Sequence, residues 1–400
     1  MKINQFQNSS LLHKAEQNSW HLIPFNKVLI DETRLASKIK KEDYLAAGKY
    51  PIIDQGKKLV GGYSNEIKGL YNNKPYIIFG DHTRILKYID FPTFIGADGV
   101  KLLKNIKSEE EVLTKYLYYF LETIDIPNTG YNRHFKFLKE VIIPIPSIKV
   151  QMKIVEVLDK AYELIEKRKA QIEALSSLTQ SVFLEMFEDP ITNPKNWSVK
   201  PLGDFLNKID SGWSPKSESI PAMEGEKGVL KLSAVTKGVY RHSENKALFA
   251  DTPFKEAFEV KNGDLLVTRK NTRELVGACA FVFNTPTNLM LPDTIFRLVF
   301  KPTQDNIHPI YLWRLLNNNR FRLRVTDLAE GSAGSMPNIS KKNLLKLGIV
   351  VPPMELQKQF SEGIIKIEGQ KELLKNGLLI FENNFQSLMQ QAFNGELFND

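Results

Sequence analysis

The sequence holds a single cysteine, Cys279, set inside the apolar run VGACAFVF. One thiol excludes an internal disulfide framework, and its apolar neighbours read as core; both fit a reducing compartment. No apolar run reaches the 18 or so residues that a spanning helix needs, and the N-terminus has no signal-like apolar segment. No membrane partner is expected, and the expected location is the cytoplasm. The six histidines (His13, His21, His82, His134, His242, His308) are scattered, and none has metal-ligand spacing with another histidine or with the cysteine. No metal site is expected. A G-x-x-x-x-G-K-[ST] phosphate loop is missing, as are G-x-G-x-x-G and Asn-Pro-Pro-aromatic. The chain is therefore not expected to bind a methyl-donor cofactor or to place an amino group for methylation.

What is present is ordinary in amount and uneven in charge. Apolar residues make up 42% and charged residues 25%, the proportions of a soluble globular protein. Four hundred residues suffice for two or three domains with real cores. The net charge is +8 and the isoelectric point about 9.1, which favours a polyanionic partner. One set of residues hints at nuclease chemistry: Glu259-Val260-Lys261 with Asp251 upstream. Such a tripeptide arises often by chance, and no catalytic residue is assigned.

The dominant feature is a long helical pattern that occurs twice. From Leu138 a short apolar run ends at Pro144 and Pro146, and a helical stretch follows to Phe187. Leu158, Ala161, Ile165, Ile172, Leu175, Val182 and Met186 fall at 3-4 spacing, interrupted at Arg168 and Thr179. Roughly 40 helical residues at ~1.5 Å each make a rod of ~60 Å. The same pattern returns 206 residues later without a gap. Asn132 meets Asn338, Leu138 meets Leu344, Pro146 meets Pro352, Gln151 meets Gln357 and Phe187 meets Phe393. Ile364, Ile367, Leu374, Leu378, Phe381, Phe385, Leu388 and Ala392 continue the second stripe, with Lys371 as its exception.

The repeat extends to whole units. Residues 1–19 read as a polar arm or a short capping helix. Trp20 and Trp197 open matching segments in which Pro24 meets Pro201. Further on, Asp98 meets Asp293 and Tyr116-Leu117 meets Tyr311-Leu312. The first unit predicts strands over 50–54, 75–80, 93–103 and 140–146, a turn-rich connection over 56–66, and a helix over 109–124. The second predicts strands over 228–235, 263–269, 277–283, 294–300 and 347–353 and a helix over 310–325. The expected layout is a domain at 1–147, a spacer helix at 148–190, a second domain at 191–351 and a second spacer helix at 352–400. Packing between the spacer helices is assigned to Leu158, Ile165, Ile172, Leu175, Val182, Ile364, Ile367, Leu374, Leu378, Phe381, Phe385 and Leu388.

Nucleic-acid signals lie in the loops, where Arg and Lys suit phosphate and Arg, Asn, Gln and Ser suit base edges. In the first unit the candidates are Lys57, Lys58, Tyr63, Ser64 and Asn65, then His82, Thr83 and Arg84, then Tyr131, Asn132, Arg133 and His134. In the second they are Ser211, Trp213 and Lys216, then Lys237, Tyr240 and Arg241, then Arg269, Lys270, Asn271 and Arg273, then Ser332, Ser335 and Asn338. Gly331 and Gly334 make that last loop adaptable. Arg314, Arg320, Arg322 and Arg324 form either a phosphate-facing helix stripe or a solvated face.

In this layout the chain resembles the DNA specificity subunits of type I restriction–modification systems. The residues that carry the resemblance are Trp197 with Pro201-Leu202-Gly203-Asp204, Tyr50-Pro51-Ile52-Ile53-Asp54-Gln55-Gly56 with Gly61-Gly62-Tyr63, Gly263 to Arg269, Pro337-Asn338-Ile339-Ser340, and the two Pro…Gln helix starts. The resemblance covers residues 20–400; the first domain's opening, Pro24-Phe25-Asn26-Lys27, departs from the pattern. It implies an α+β protein of two mixed α/β target-recognition domains with two long helices pairing as an antiparallel coiled coil, under a pseudo-twofold repeat. It implies double-stranded DNA as ligand, a bipartite asymmetric site, two methyltransferase subunits and restriction/translocase subunits as partners, and S-adenosylmethionine and ATP bound by those partners. The chain itself would be a non-catalytic part of a phage-defence system, or of a related modification-only one. The competing readings are a degenerate methyltransferase or nuclease, and a scaffold whose two domains bind proteins.

Overall fold

The computed structural model describes residues 9–130, 132–302, 307–330 and 336–398. The chain forms two compact units, Met1–Lys169 with Asn376–Asp400, and Ala170–Lys375. Each contains one α/β domain, half of one long helix and half of the other. The two helices, Ile148–Phe187 and Met354–Phe393, have the same length of 40 residues.

In the first unit a four-stranded antiparallel sheet runs in the order Leu29–Asp31, Val100–Asn105, Tyr76–Gly80, Leu86–Ile89. A second, mixed sheet is ordered Lys38–Ile39, Phe94–Gly96, Tyr50–Ile53, Gly62–Ser64. The region expected to be one strand over 93–103 is two, and Gly62–Ser64 is a strand inside the segment expected to be only a connection. The helix expected over 109–124 is shorter, Thr114–Glu122. Ser9–Gln17 is helical and buries Leu11, Leu12 and Ala15 against the first core, so the polar arm is a capping helix.

The second unit repeats the larger sheet: Leu206–Ser211, Ile295–Phe300, Leu265–Thr268, Cys279–Phe281. Its smaller sheet has three strands, Asn245–Ala247, Gly228–Leu230 and Leu289–Met290. The helical pattern over 310–325 resolves into Pro309–Leu316 and Phe321–Thr326. Burial pushes the Cys279 thiol well above its usual range, as suits an inert core cysteine.

The junction between domain and helix is the same in both units. A short strand at the domain's start pairs antiparallel with the strand that leads into the helix, His21↔Ile145 in one and Ser198↔Val351 in the other. Tyr116 donates its hydroxyl to the Pro144 carbonyl (2.6 Å), and its counterpart Tyr311 to the Val350 carbonyl (2.9 Å). Gln151, 0% exposed, accepts from Leu113 N–H (2.9 Å) and donates to the carbonyls of Pro146 (2.9 Å) and Glu111 (3.0 Å). Gln357, 1% exposed, accepts from His308 N–H (2.9 Å) and donates to Pro352 O (2.8 Å). Leu113 and His308 are the residues that cap the domain helices, whose first N–H groups have no helical partner. One buried amide therefore accepts from the cap of the domain helix and donates to the turn that precedes the long helix.

The long helices pair antiparallel. In the first unit the Tyr162 ring lies tilted 6.3 Å from that of Phe385, while Arg168 lies over Phe381 at 4.8 Å, so one chain number rises as the other falls. In the second unit Phe183 and Phe187 close on Phe360 at 5.8 and 5.1 Å. Leu158, Ile165 and Ile364 are buried, and Ile172, Leu175, Val182, Ile367, Leu374, Leu378, Phe381, Phe385 and Leu388 are half-buried. The interruptions in the stripe lie in the seam rather than outside it. Thr179 is 1% exposed and bonds the Leu175 carbonyl at 3.0 Å; Lys371 is 7% exposed and pairs with Glu368 at 2.8 Å. Arg168 fits because Gly377 has no side chain: a Cβ there would lie 2.3 Å from its guanidinium.

Removing either buried glutamine leaves paired backbone groups without partners, at about 1–3 kcal/mol per group. Gln151→Ala and Gln357→Ala are each expected to lower unfolding stability by about 2–4 kcal/mol, read by denaturant titration; a loss under about 0.5 kcal/mol would refute the junction's role. His308 adds a pH-dependent element. Its Nδ1 lies 2.7 Å from Ser361 Oγ and 3.3 Å from Ile310 N–H. Burial, helped by Lys358, holds the imidazole below its ordinary value of 6.5. A base depressed on folding contributes stability that is present above 6.5 and is lost as pH falls through the folded value. Wild type is expected to lose stability below about pH 6.5, and His308→Asn to show a flatter profile.

Candidate nucleic-acid interface

In the first unit the turn after the central strand Tyr76–Gly80 gathers two other loops. Toward residues 54–61, His82 N–H donates to Gln55 Oε1 (3.3 Å) and Thr83 Oγ1 donates to the Gln55 carbonyl (2.7 Å). That closeness depends on Gly80, where a Cβ would sit 2.2 Å from Thr83 Oγ1. Toward residues 126–135, Arg84 donates to the Ile126 carbonyl (2.9 Å). His134 N–H and Nδ1 each lie 2.9 Å from the Asp81 carbonyl, and Phe135 N–H donates to Asp81 Oδ1 (2.8 Å). A carbonyl only accepts, so Nδ1 of His134 carries the proton and Nε2 is left to accept from Thr129 N–H at 3.4 Å. The His82 ring likewise reaches the Asn132 carbonyl at 3.2 Å.

The sequence candidates therefore divide. Lys57, Lys58, Asn132 and Arg133 are exposed on the gathered loops. His82 and Arg84 are half-buried ties, and His134 is buried as an anchor. Tyr63 and Ser64 belong to the edge strand of the smaller sheet; Ser64 is buried, and exposed Asn65 accepts from Lys49 N–H (2.9 Å). Tyr131, Ser332 and Ser335, with Gly331 and Gly334, lie outside the described residues.

The second unit repeats the gathering with different residues. Arg269 N–H donates to Thr294 O (2.9 Å), as Asp81 N–H donates to Gly99 O (2.6 Å). Ile339 N–H donates to Arg269 O (2.9 Å), and Arg269 Nε to Asn338 Oδ1 (3.0 Å). Asn271 is buried, with its amide donating to Thr236 Oγ1 (3.2 Å) and its N–H to Pro337 O (3.3 Å). Residues 232–241, 269–273 and 336–340 are thus held together. Lys237, Lys270 and Arg273 are exposed; Arg273 pairs with Asp327 at 3.3 Å, an exposed pair that contributes little. Arg241 is tied to the Ser233 carbonyl (2.9 Å), and Tyr240 to Thr285 (2.7 Å). Ser211 ends a strand and Lys216 is exposed.

Three readings from sequence are corrected. Burial removes Ser64, His134 and Asn271 from direct contact with a ligand; they shape the loops. Trp213, a candidate for DNA contact, is half-buried and packs with Val229, Leu248 and Met290 under the Lys255 ammonium, 3.9 Å from its ring centroid. The four arginines make no stripe. Arg314 is half-buried on one helix, Arg320 pairs with Asp189, Arg322 donates to Glu274 and Val276 carbonyls, and Arg324 is exposed beside Phe321. Sequence reasoning missed Thr236 and Lys87 and gave Gln55 and Thr83 no anchoring role, because such polar types carry no periodic signal. Lys87 sits in a strand, nearly buried, and burial holds its ammonium below the usual lysine range against the pull of Asp54.

Two copies of one α/β domain, each stitched to a long helix and each collecting basic and amide-bearing loops on one turn, define a duplicated recognition-domain protein. The family described as Type I restriction modification DNA specificity domain matches residues 32–174 and 194–380. The chain belongs to this family of specificity subunits. It is 34% identical over 171 residues to the type I restriction enzyme EcoEI specificity subunit of Escherichia coli, spanning 42% of this chain and 28% of that one. It is 22% identical over 391 residues to the EcoR124I/EcoR124II specificity subunit of Escherichia coli, spanning 89% and 88%. The crystal structure of a type I restriction–modification S subunit from M. genitalium shares the fold, with a TM-score of 0.57, 16% identity and 98% coverage of both chains. DNA sequence recognition is the function that membership carries.

Replacing Arg269, Lys270 and Arg273 together by Ala is expected to weaken DNA binding by the assembled enzyme. Lys270 and Arg273 should account for a fall of about two in the salt dependence of log affinity. Unchanged affinity at moderate salt would show that this turn does not face DNA.

Proposed function

We propose that the chain reads a bipartite, asymmetric DNA site, with the domain at 1–147 recognising one half and the domain at 191–351 the other. The observation that carries this reading is the repeated gathering of three loops on the turn after the central strand, built twice from one backbone plan and lined with different side chains. Equal frameworks with unequal loops suit a site whose halves differ in sequence. Lys57, Lys58 and Arg133 in one unit and Lys237, Lys270 and Arg273 in the other are suited to phosphate. Asn132 and Asn338 are suited to base edges.

The paired helices at 148–190 and 352–400 act as spacer and as the seat of two methyltransferase subunits, which restriction/translocase subunits join. The partners bind S-adenosylmethionine and ATP, and the adenine to be methylated is flipped into a partner's pocket. This chain is non-catalytic in that scheme and works in the cytoplasm.

Co-expression with the methyltransferase subunit, followed by mapping of methylated adenines across the host genome, tests the reading. A non-palindromic motif of two parts with a fixed gap is the expected result. No new methylation from a stably formed complex would favour a protein-binding scaffold instead. Seven residues inserted at matching positions in both helices should alter the gap and leave both half-sites intact; changed half-sites would refute the spacer role.

A further inference from the structure

Lys87 stands on the inner face of the first unit's larger sheet, opposite Ile78. Its side chain is 4% exposed. Burying an ammonium is costly unless each donor is satisfied. Here all three have an acceptor: Nζ lies 2.7 Å from the Asp54 carbonyl, 2.6 Å from that of Lys58 and 3.4 Å from that of Leu59. Asp54 Oδ1 is a further 3.7 Å away. These acceptors belong to the two ends of one loop, which Lys87 closes. Inside it, Asp54 Oδ1 accepts from Gly56 N–H (2.8 Å), and Gly61 leaves the room that Asp54 fills, since a Cβ there would be 2.5 Å from Oδ2.

The sheet does not need this lysine in order to form. In the second unit the residue opposite Leu266, the counterpart of Ile78, is Ala280. There a different strand supplies a partly buried cation: Arg297, also opposite Leu266, donates to the carbonyls of Glu259 (2.8 Å) and Ala257 (2.7 Å) and pairs with Asp210 at 3.1 Å. A cation gripping a loop is thus common to both units, while its strand and its loop differ.

We propose that Lys87 is a positioning residue for DNA binding by the first domain: it shapes the 54–61 loop so that exposed Lys57 and Lys58 form a preorganised phosphate clamp. The proposal rests on the reading that this loop faces DNA. Three carbonyl oxygens are turned inward onto the ammonium, away from an approaching phosphate. The ordering of the loop is completed on folding instead of at the moment of binding.

The test uses the full chain assembled with its methyltransferase subunit and a duplex carrying the mapped site. Lys87→Met is expected to raise hydrogen exchange across 54–61, to leave 76–80 protected and to weaken binding about 10-fold. The double substitution Lys57→Ala, Lys58→Ala should weaken binding and cut the salt dependence by about two, with exchange in the loop unchanged. A loosened loop with undiminished affinity in Lys87→Met overturns the proposal. If the double variant also binds like wild type, it is the DNA-facing reading of this loop that has failed. Should Lys87→Met expose 76–80, Gly61→Ala takes its place, because it displaces Asp54 without touching the sheet; undiminished affinity there overturns the proposal equally.

Discussion

Each unit depends on one buried glutamine. A helix of forty residues leaving a small domain would swing about its first turn unless something fixed the exit. Gln151 and Gln357 fix it by bonding the turn before the long helix and the cap of the domain helix at once. The tyrosine one turn into the domain helix clamps the strand between them. Gln151, Gln357, Tyr116 and Tyr311 are all buried, so none can trade its partner for water without cost. The short strand pair at each domain's start then has a single register to adopt.

The repeat makes this junction legible in the sequence itself. Pro146 and Gln151 recur as Pro352 and Gln357 because their geometry is used twice. The helices were legible for a different reason: forty residues of 3-4 spacing outweigh a few polar interruptions. Those interruptions were misleading as breaks, since Thr179 satisfies its hydroxyl on its own helix and Lys371 on Glu368. The strands with long apolar runs were located within a few residues, whereas short ones such as Leu29–Asp31, Gly62–Ser64, Leu86–Ile89 and Leu206–Ser211 were not expected.

The loops were legible only as composition. Arg, Lys, Asn and His in a turn look alike in sequence whether they face solvent or hold a neighbour. The fold separates Lys57 and Arg133 from His134 and Asn271 by burial, which depends on loops far apart in the chain meeting at residue 81 or 269. The residues that arrange this meeting, Gln55 and Thr83 among them, act through individual hydrogen bonds that no periodicity announces. Their one trace is glycine where a side chain would collide, at Gly80 and Gly99.

The unequal placement of the loop-gripping cations bears on transplantation. Lys87 and Arg297 come from different strands of equivalent sheets and grip different loops. A loop cut from one domain and grafted at the matching position of the other would arrive without its counterion and carbonyl partner, beside an alanine in one direction and a leucine in the other. The portable piece of this architecture is therefore the loop together with the strand that holds it, and the smallest graft that keeps its shape is set by the interior of the sheet, not by the ends of the loop.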